Sequence, residues 1–199
     1  MKKLFLFLMV ALMAMACSAP TAENVLTQYS DSLKKGQFDA SLWNLEAFAK
    51  IYYVNYWDKA QKEEQDKLIS LIEKFSNHSA LMQKNIAAAS EIKEMKVLEQ
   101  DEKSQKIKVT YGSKNNPDTT LNITYLLNLE GKDWKIINYE QLAYSEENVI
   151  DPVKSFHENF PQLMKDAGYE EDNISLATIN EFLEEKILKP AEEALSKEK

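Results

Sequence analysis

The stretch TTLNITYLLNLEGKDWKIINYEQLAY, residues 119–144, decides the fold. Apolar and polar residues alternate along its first half, as in a half-buried β-strand, because successive side chains point to opposite faces of a sheet. The letters EGKD in its middle are typical of a hairpin turn. After this turn, the alternation predicts that Trp134 and Ile136 face one side and that Ile137 and Tyr139 face the other. The stretch therefore predicts two antiparallel strands joined by a tight turn.

The remaining periodicity predicts two more strands and several helices. EIKEMKVLEQ and KIKVTYGS, which precede the hairpin, alternate in the same way and predict the two strands. Helical spacing predicts a first helix over residues 21–35, ended by Gly36. A second helix runs from Asp39 to about Ala60, a third continues through SALMQKNIAAAS, and two more close the chain, the last with Pro190 near its end. This order predicts an α+β fold, a single domain in which a four-stranded antiparallel meander sheet packs against several helices.

The N-terminus has the layout of a secretory signal. Two lysines precede an apolar segment over residues 4–15, which is too short to span a bilayer. We therefore predict export and removal of residues 1–16. Cys17 is the only cysteine and stands where a bacterial lipoprotein carries its lipid, which predicts a periplasmic protein anchored to a membrane through Cys17. The Ala14-Met15-Ala16 segment also suits ordinary signal peptidase, so a soluble periplasmic protein is the alternative.

The charge of the chain argues against nucleic-acid partners. The formal net charge is −8, and removal of residues 1–16 lowers it to −10, with 22 lysines against 32 acidic residues. A net acidic chain suits neither nucleic acid nor the bare surface of an anionic membrane. All 24 basic residues are lysines, so bidentate arginine contacts to a phosphate are excluded.

Signals for catalysis are few. His78 and His157 are the only histidines, and with one cysteine a zinc site would need carboxylates to complete it, so we predict no metal and no cofactor. We interpret His157, on an amphipathic helix, as a rim histidine rather than a general base. The four glycines form no phosphate-binding loop, and G-x-S-x-G is absent. An enzyme would need a buried carboxylate with a perturbed pKa, and no residue suggests itself. We predict that the protein is not an enzyme.

Three stretches together resemble one known family, the MlaC-type periplasmic phospholipid shuttles, also called toluene-tolerance auxiliary proteins. YYVNYWDKAQKEEQDKLISLIEKF, residues 52–75, is similar to the family's aromatic-Trp pair and the Phe-containing helix that follows it. LNITYLLNLEGKDWKIINYEQLAYS, residues 121–145, is similar to its strand–turn–strand unit. SFHENFPQLMKDAGYE, residues 155–170, resembles its short helix that ends in glycine. Family members usually carry an arginine on that helix, where this chain has His157.

The resemblance implies a carrier whose cargo is a phospholipid. It would shuttle the lipid between inner- and outer-membrane complexes of an ABC-type lipid transport system, with the acyl chains buried in an internal apolar cavity between helices and sheet. The chain would then consist of a signal peptide (1–16), a lipidated or free segment with the first helix (17–38) and a phospholipid-carrier-like domain (39–199). The alternative is an envelope lipoprotein adaptor that docks partner proteins, holds no ligand and has a solidly packed interior.

Large apolar residues identify the predicted cavity wall. Ten of them lie between Leu42 and Trp57, more than one sheet face can bury. Together with the following helix, the hairpin and the first C-terminal helix, they supply the predicted lining: Phe48, Tyr52, Tyr56, Trp57, Leu68, Leu71, Phe75, Leu121, Ile123, Tyr125, Leu127, Trp134, Phe156 and Phe160.

Mass spectrometry of the mature N-terminus tests the predicted anchor. If Cys17 is lipidated, the mature chain begins at Cys17 and carries acyl chains, because cleavage before that cysteine accompanies its modification. A mature chain that begins at Cys17 without acyl groups would contradict the lipoprotein interpretation and support the soluble alternative.

Overall fold

One antiparallel sheet forms the centre of the computed structural model, which describes residues 20–116, 118–143 and 148–197. The strands follow one another in chain order, as in a meander: β1 Ser90–Gln100, β2 Ser104–Ser113, β3 Thr120–Glu130, β4 Asp133–Ala143 and β5 Val149–Ile150. The predicted α+β fold with an antiparallel meander is confirmed. The predicted signal peptide and Cys17 lie outside the described residues.

The sheet has five strands, so the prediction of four was wrong. β5 pairs with the end of β4, where Leu142 is opposite Ile150 and Ala143 is opposite Val149. Two residues are too few to show the alternation that identifies a strand, which extends over about four to eight residues. The fifth strand therefore left no periodic signal in the sequence.

The helices pack on one face of the sheet and extend beyond it. They are α1 Ala22–Lys34, α2 Leu45–Tyr52, α3 Val54–Trp57, α4 Lys62–Ala88, α5 Pro152–Asp166, α6 Leu176–Phe182 and α7 Lys189–Lys197, with 3₁₀ turns at Ala40–Leu42 and Glu171–Asn173 and a π-helical turn at Leu183–Leu188. α1 ends before Gly36, as predicted, because Gly36 adopts a φ of 72°. In the part of the chain that the structure describes, no helix is long and apolar enough to cross a membrane.

The predicted second helix, from Asp39 to about Ala60, is broken in two places. Asp39 caps only a 3₁₀ turn, and Trp43 is extended and forms a bridge with Ile136 of β4. The Asn44 side chain then caps α2. A single non-helical residue separates α2 from α3. The first break follows from the contact with the sheet, which helical periodicity cannot reveal.

β4 contains two irregularities in its pairing with β3. Asn138 and Tyr139 pair with successive residues of β3, whereas Ile137 and Glu140 have no partner in the register. A bulge shifts the alternation of side chains by one position. Ile136 and Tyr139 therefore contact the same helix-facing core, and the prediction that they face opposite sides was wrong.

Two clusters of buried side chains lie on the helical side of the sheet. The sheet cluster joins α1 and the segment before α2 to the strands and contains Leu26 and Leu127. The helix cluster is formed by helices alone and contains Leu68 and Phe182. Phe48 of α2 and Ile69 and Ile72 of α4 are half-buried and pack against both clusters. α2 and α4 therefore link the two.

The last predicted helix continues past Pro190 to the end of α7, with the π-helical turn before it. Proline has no N–H, and its ring crowds the carbonyl four residues earlier in a regular α-helix. The wider π turn relieves this conflict without ending the helix. The helix is therefore longer than the sequence predicted.

Truncation of a leucine in the sheet cluster tests the assignment of the core. Leu127 is fully buried, so Leu127→Ala should lower the free energy of unfolding by about 2–5 kcal/mol in urea denaturation. Leu81→Ala is the matched control, because Leu81 is 50% exposed and its truncation should cost less than about 1 kcal/mol. Equal losses in the two variants would contradict the assignment.

Candidate functional site

A pocket of about 620 Å³ lies where the sheet cluster and the helix cluster meet, and we name it the deep pocket. It is partly open, and half-exposed Phe75 and Leu163 stand at its edge. Its volume is within the range of about 300–1,000 Å³ that is usual for small-molecule sites. Besides residues named below, its lining includes Leu33, Phe38, Leu45, Ile72, Ala80, Leu142, Leu183, Ile187 and Leu188.

No charged side chain lines the deep pocket among the residues that the structure describes. The polar side chains in its wall are Ser76, Ser79 and Gln83 of α4 and several tyrosines. A site without a carboxylate, histidine or lysine has no group that exchanges a proton near neutral pH. The deep pocket is therefore suited to hold an apolar molecule.

Aromatic rings in mutual contact form one wall of the deep pocket. The centroid of the Trp43 ring lies 5.4 Å from that of Tyr29 and 5.8 Å from that of Phe48, both edge to face. Phe48 lies 4.5 Å from Tyr52, which lies 5.3 Å from Phe156 of α5. Such pairs contribute about 0.5–1.5 kcal/mol each beyond the burial of their area. The rings connect α1, α2 and α5 and limit how far the wall can move inward.

Burial keeps the tyrosines of the deep pocket protonated. Desolvation is the main cause that raises the pKa of each of the five phenols that line it: Tyr29, Tyr52, Tyr53, Tyr125 and Tyr139. The hydroxyls of Tyr111 and Tyr125 lie 3.3 Å apart and form a hydrogen bond. These phenols can exchange hydrogen bonds with a bound molecule without bringing a charge into the apolar interior.

Two buried polar atoms in the wall of the deep pocket lack a hydrogen-bond partner within the described ranges. They are Trp43 Nε1 and Tyr52 Oη. A buried donor without an acceptor costs about 1–3 kcal/mol. A bound molecule that offers an acceptor would remove this cost.

His157 fixes α5 against the end of α2. Its Nε2 lies 2.9 Å from Tyr52 O, and since a carbonyl can only accept, the imidazole donates from Nε2. His157 is exposed, which agrees with its interpretation as a rim histidine. Its place in the structure is that of a contact between helices.

Nine of the fourteen predicted cavity residues line the deep pocket: Phe48, Tyr52, Leu71, Phe75, Leu121, Ile123, Tyr125, Phe156 and Phe160. The other five pack in or against the two clusters: Tyr56, Trp57 and Leu68 in the helix cluster, Leu127 and Trp134 in the sheet cluster. For Tyr56 the reason is the break after α2, which ends the helical spacing that had aligned it with Phe48 and Tyr52. Trp57 lies off that stripe and is buried in the helix cluster.

The sequence interpretation missed lining residues of three kinds. Tyr29 and Leu33 belong to α1, which was placed in a separate N-terminal segment although its apolar stripe was visible. Trp43 and Tyr139 reach the deep pocket through the extended residue and the bulge, which have no periodic signal. Phe182 lies on the apolar stripe of α6 and could have been included on that ground.

A second, more open depression adjoins the deep pocket, and we name it the outer cleft. The two share five residues: Tyr52, Tyr139, Phe156, Phe160 and Leu163. The outer cleft is completed by Ile150, Pro152, Ser155, Asn159, Gln162 and Asp166. The apolar interior and the polar rim on α5 therefore adjoin each other at these shared side chains.

Fold and site define a class of protein by its architecture, in which a meander sheet and helices enclose an apolar pocket without charged side chains among the described residues. No protein-family model matches the chain, and no curated protein matches it in sequence. A solved structure with a similar fold is that of the phospholipid-binding protein from Ralstonia solanacearum in complex with a phospholipid. The TM-score is 0.59 at 13% sequence identity, over 84% of this chain and 95% of that one. At this identity the similarity establishes a shared fold.

Alkaline titration tests the burial of the pocket tyrosines. Above the ordinary tyrosine pKa of about 10 the unfolded chain loses phenolic protons that the folded chain retains, because the folded-state pKa values of Tyr29, Tyr52 and Tyr125 are raised. The stabilisation is complete below pH 10 and is lost as the pH rises further. We expect tyrosinate absorbance and loss of circular dichroism to appear together. Full ionisation in a chain that remains folded would contradict the burial.

Proposed function

We propose that the protein binds a phospholipid, with the acyl chains in the deep pocket and the head group outside it, and that it is not an enzyme. The observation that carries this proposal is the uncharged, ring-lined pocket of about 620 Å³, in a fold shared with a protein whose structure contains a phospholipid. Membership in the MlaC-type family, which the sequence resemblance implies, is part of the proposal.

The energetics of hydrocarbon favour a buried site over adhesion to the surface. Two acyl chains contain roughly thirty methylenes, and at about 0.8 kcal/mol each their exposure to water costs more than about 20 kcal/mol. If a methylene occupies about the volume of a water molecule in the liquid, roughly 30 Å³, the deep pocket of about 620 Å³ holds roughly twenty of them. We expect the remaining methylenes to lie past Phe156 and Leu163, where the outer cleft continues the deep pocket.

We propose a carrier role in the periplasm, which the same energetics support, since a lipid leaves a membrane only into another apolar site. We propose that the protein is anchored through Cys17 and passes phospholipid between inner- and outer-membrane components of an ABC-type transport system. The signal-like N-terminus supports export. The formal net charge of −8 weakens attraction to anionic leaflets, so transfer would depend on docking to those complexes.

An envelope adaptor that docks partner proteins and holds no ligand is the second candidate. Exposed apolar side chains of α4 favour it, since Leu81, Met82 and Ile86 are 50%, 65% and 71% exposed. Exposed apolar patches mark contact surfaces in soluble proteins. The adaptor predicts a protein that purifies without lipid, whereas the carrier predicts one that purifies with it.

A carboxylate placed in the wall of the deep pocket tests the carrier. Phe48→Asp should lower the phospholipid that co-purifies with the protein at least tenfold, because a carboxylate resists burial against hydrocarbon. Mass spectrometry of extracted lipid measures the loss, and circular dichroism checks the fold. Val54→Asp, on the neighbouring helix at a 53% exposed position, is the matched control and should retain the lipid.

Leu121→Trp is a second variant, in case Phe48→Asp does not fold. It fills the deep pocket from β3 with an apolar ring and should also reduce the bound lipid. A wild-type protein without lipid would favour the adaptor. Unchanged lipid in both variants would exclude the deep pocket as the site.

A further inference from the structure

The outer cleft adjoins the deep pocket, and Tyr52 and Tyr139 line both. A molecule that occupies both would have its apolar part in the deep pocket and its polar part beside these two rings. The inference that follows rests on the proposed function. If a phospholipid is the ligand, its ester groups lie near Tyr52 and Tyr139 and its head group lies in the outer cleft.

The hydroxyl of Tyr52 is a buried donor at the boundary between the two sites. Tyr52 is 8% exposed, and its hydroxyl lacks a hydrogen-bond partner among the described residues. The Tyr139 hydroxyl is close enough to affect the pKa of Tyr52, but the geometry of a hydrogen bond is not met at Tyr52 Oη. Burial raises the pKa of Tyr52, so its hydroxyl stays neutral and able to donate. The ester carbonyl of a glycerolipid is an acceptor that would satisfy it.

One face of α5 supplies the outer cleft with polar side chains at helical spacing, Ser155, Asn159, Gln162 and Asp166. Asp166 is the one ionisable residue among the described residues of this lining. Its Oδ1 accepts a hydrogen bond from Gln162 Nε2 at 2.6 Å, and it takes part in none of the ion pairs of the described residues. The carboxylate is therefore not neutralised by a lysine.

Asp166 is the last residue of α5, and no lysine lines the outer cleft among the described residues. A cation is favoured next to this carboxylate, and an anion is disfavoured. Lys154 and Lys165, the two lysines of α5, do not belong to the lining, and Lys154 lies 3.8 Å from Glu158. Asp151, the N-cap at the opposite end of α5, is close enough to Tyr52 to raise the pKa of its phenol.

We propose that the outer cleft is a head-group subsite that prefers lipids with a primary amine, such as phosphatidylethanolamine. The Asp166 carboxylate pairs with the ammonium group, the second N–H of the Gln162 amide donates to a phosphate oxygen, and Tyr52 Oη donates to an ester carbonyl. A head group that carries only negative charge, such as phosphatidylglycerol, meets Asp166 without a compensating lysine.

Competition between two lipids tests the subsite. The full chain, processed by the cell, is equilibrated with vesicles of equal parts phosphatidylethanolamine and phosphatidylglycerol with identical acyl chains, and the bound lipids are counted by mass spectrometry. We expect the wild type to be enriched in the amine lipid and Asp166→Asn to lower that enrichment about two- to fourfold, as for an exposed ion pair, with total lipid unchanged. Glu158→Gln makes the same charge change elsewhere on α5 and should have no effect.

The Tyr52 contact is tested with a lipid that lacks the carbonyl. The wild type should retain diester phosphatidylethanolamine about fivefold better than its diether analogue, the value of one typical hydrogen bond, and Tyr52→Phe should abolish that preference. Tyr169→Phe is the control, since Tyr169 lines neither the deep pocket nor the outer cleft.

The outcomes separate this inference from the proposed function. A wild type that binds lipid but takes both head groups equally would overturn the subsite and leave the carrier in place. Enrichment that persists in Asp166→Asn, or an ester preference that persists in Tyr52→Phe, would also overturn it. A wild-type protein that takes up neither phosphatidylethanolamine nor phosphatidylglycerol from the vesicles would contradict the proposed carrier function itself.

Discussion

The contact of Trp43 with β4 determines where the helices stand relative to the sheet. Trp43 bridges Ile136, and Asn44 N donates to Ile136 O at 2.9 Å, so the chain is fixed to the sheet immediately before α2 begins. The buried indole also contacts the rings of Tyr29 and Phe48. α2 must therefore leave the sheet at this point, and the space between it and β3 becomes the deep pocket.

The volume of the deep pocket limits what can occupy it. Protein interiors are close-packed, and an apolar void costs about 24 cal/mol per Å³. The deep pocket of about 620 Å³ is partly open and therefore not a dry void, but its apolar wall gains little from contact with water. Hydrocarbon would restore the missing contacts. The ring contacts that resist collapse keep open a space that the proposed cargo would fill.

The sequence predicted what depends on local periodicity and missed what depends on contacts between distant segments. The alternation of apolar and polar residues predicted β3 and the start of β4. Helical spacing predicted α4 and the positions of Phe48 and Tyr52 in the pocket wall. The extended residue at Trp43 exists because β4 accepts it, and Tyr139 turns inward because of a bulge in the pairing with β3. Neither the contact of Trp43 with β4 nor the bulge can be recognised from residues that are neighbours in the sequence. The misplacement of Tyr56 follows from the same limit, since a continuous helix would have aligned it with Phe48 and Tyr52.

The most direct measurement of the central claim is photo-crosslinking with a phospholipid that carries a diazirine near the end of one acyl chain. Peptide mapping of the labelled protein then reports where the hydrocarbon lies. Burial in the deep pocket predicts labels on the inward-facing residues of α4 and β3, such as Leu71, Leu121 and Ile123. Labels confined to the exposed residues Leu81, Met82 and Ile86 would contradict the account, because they would place the lipid on the outer surface of α4.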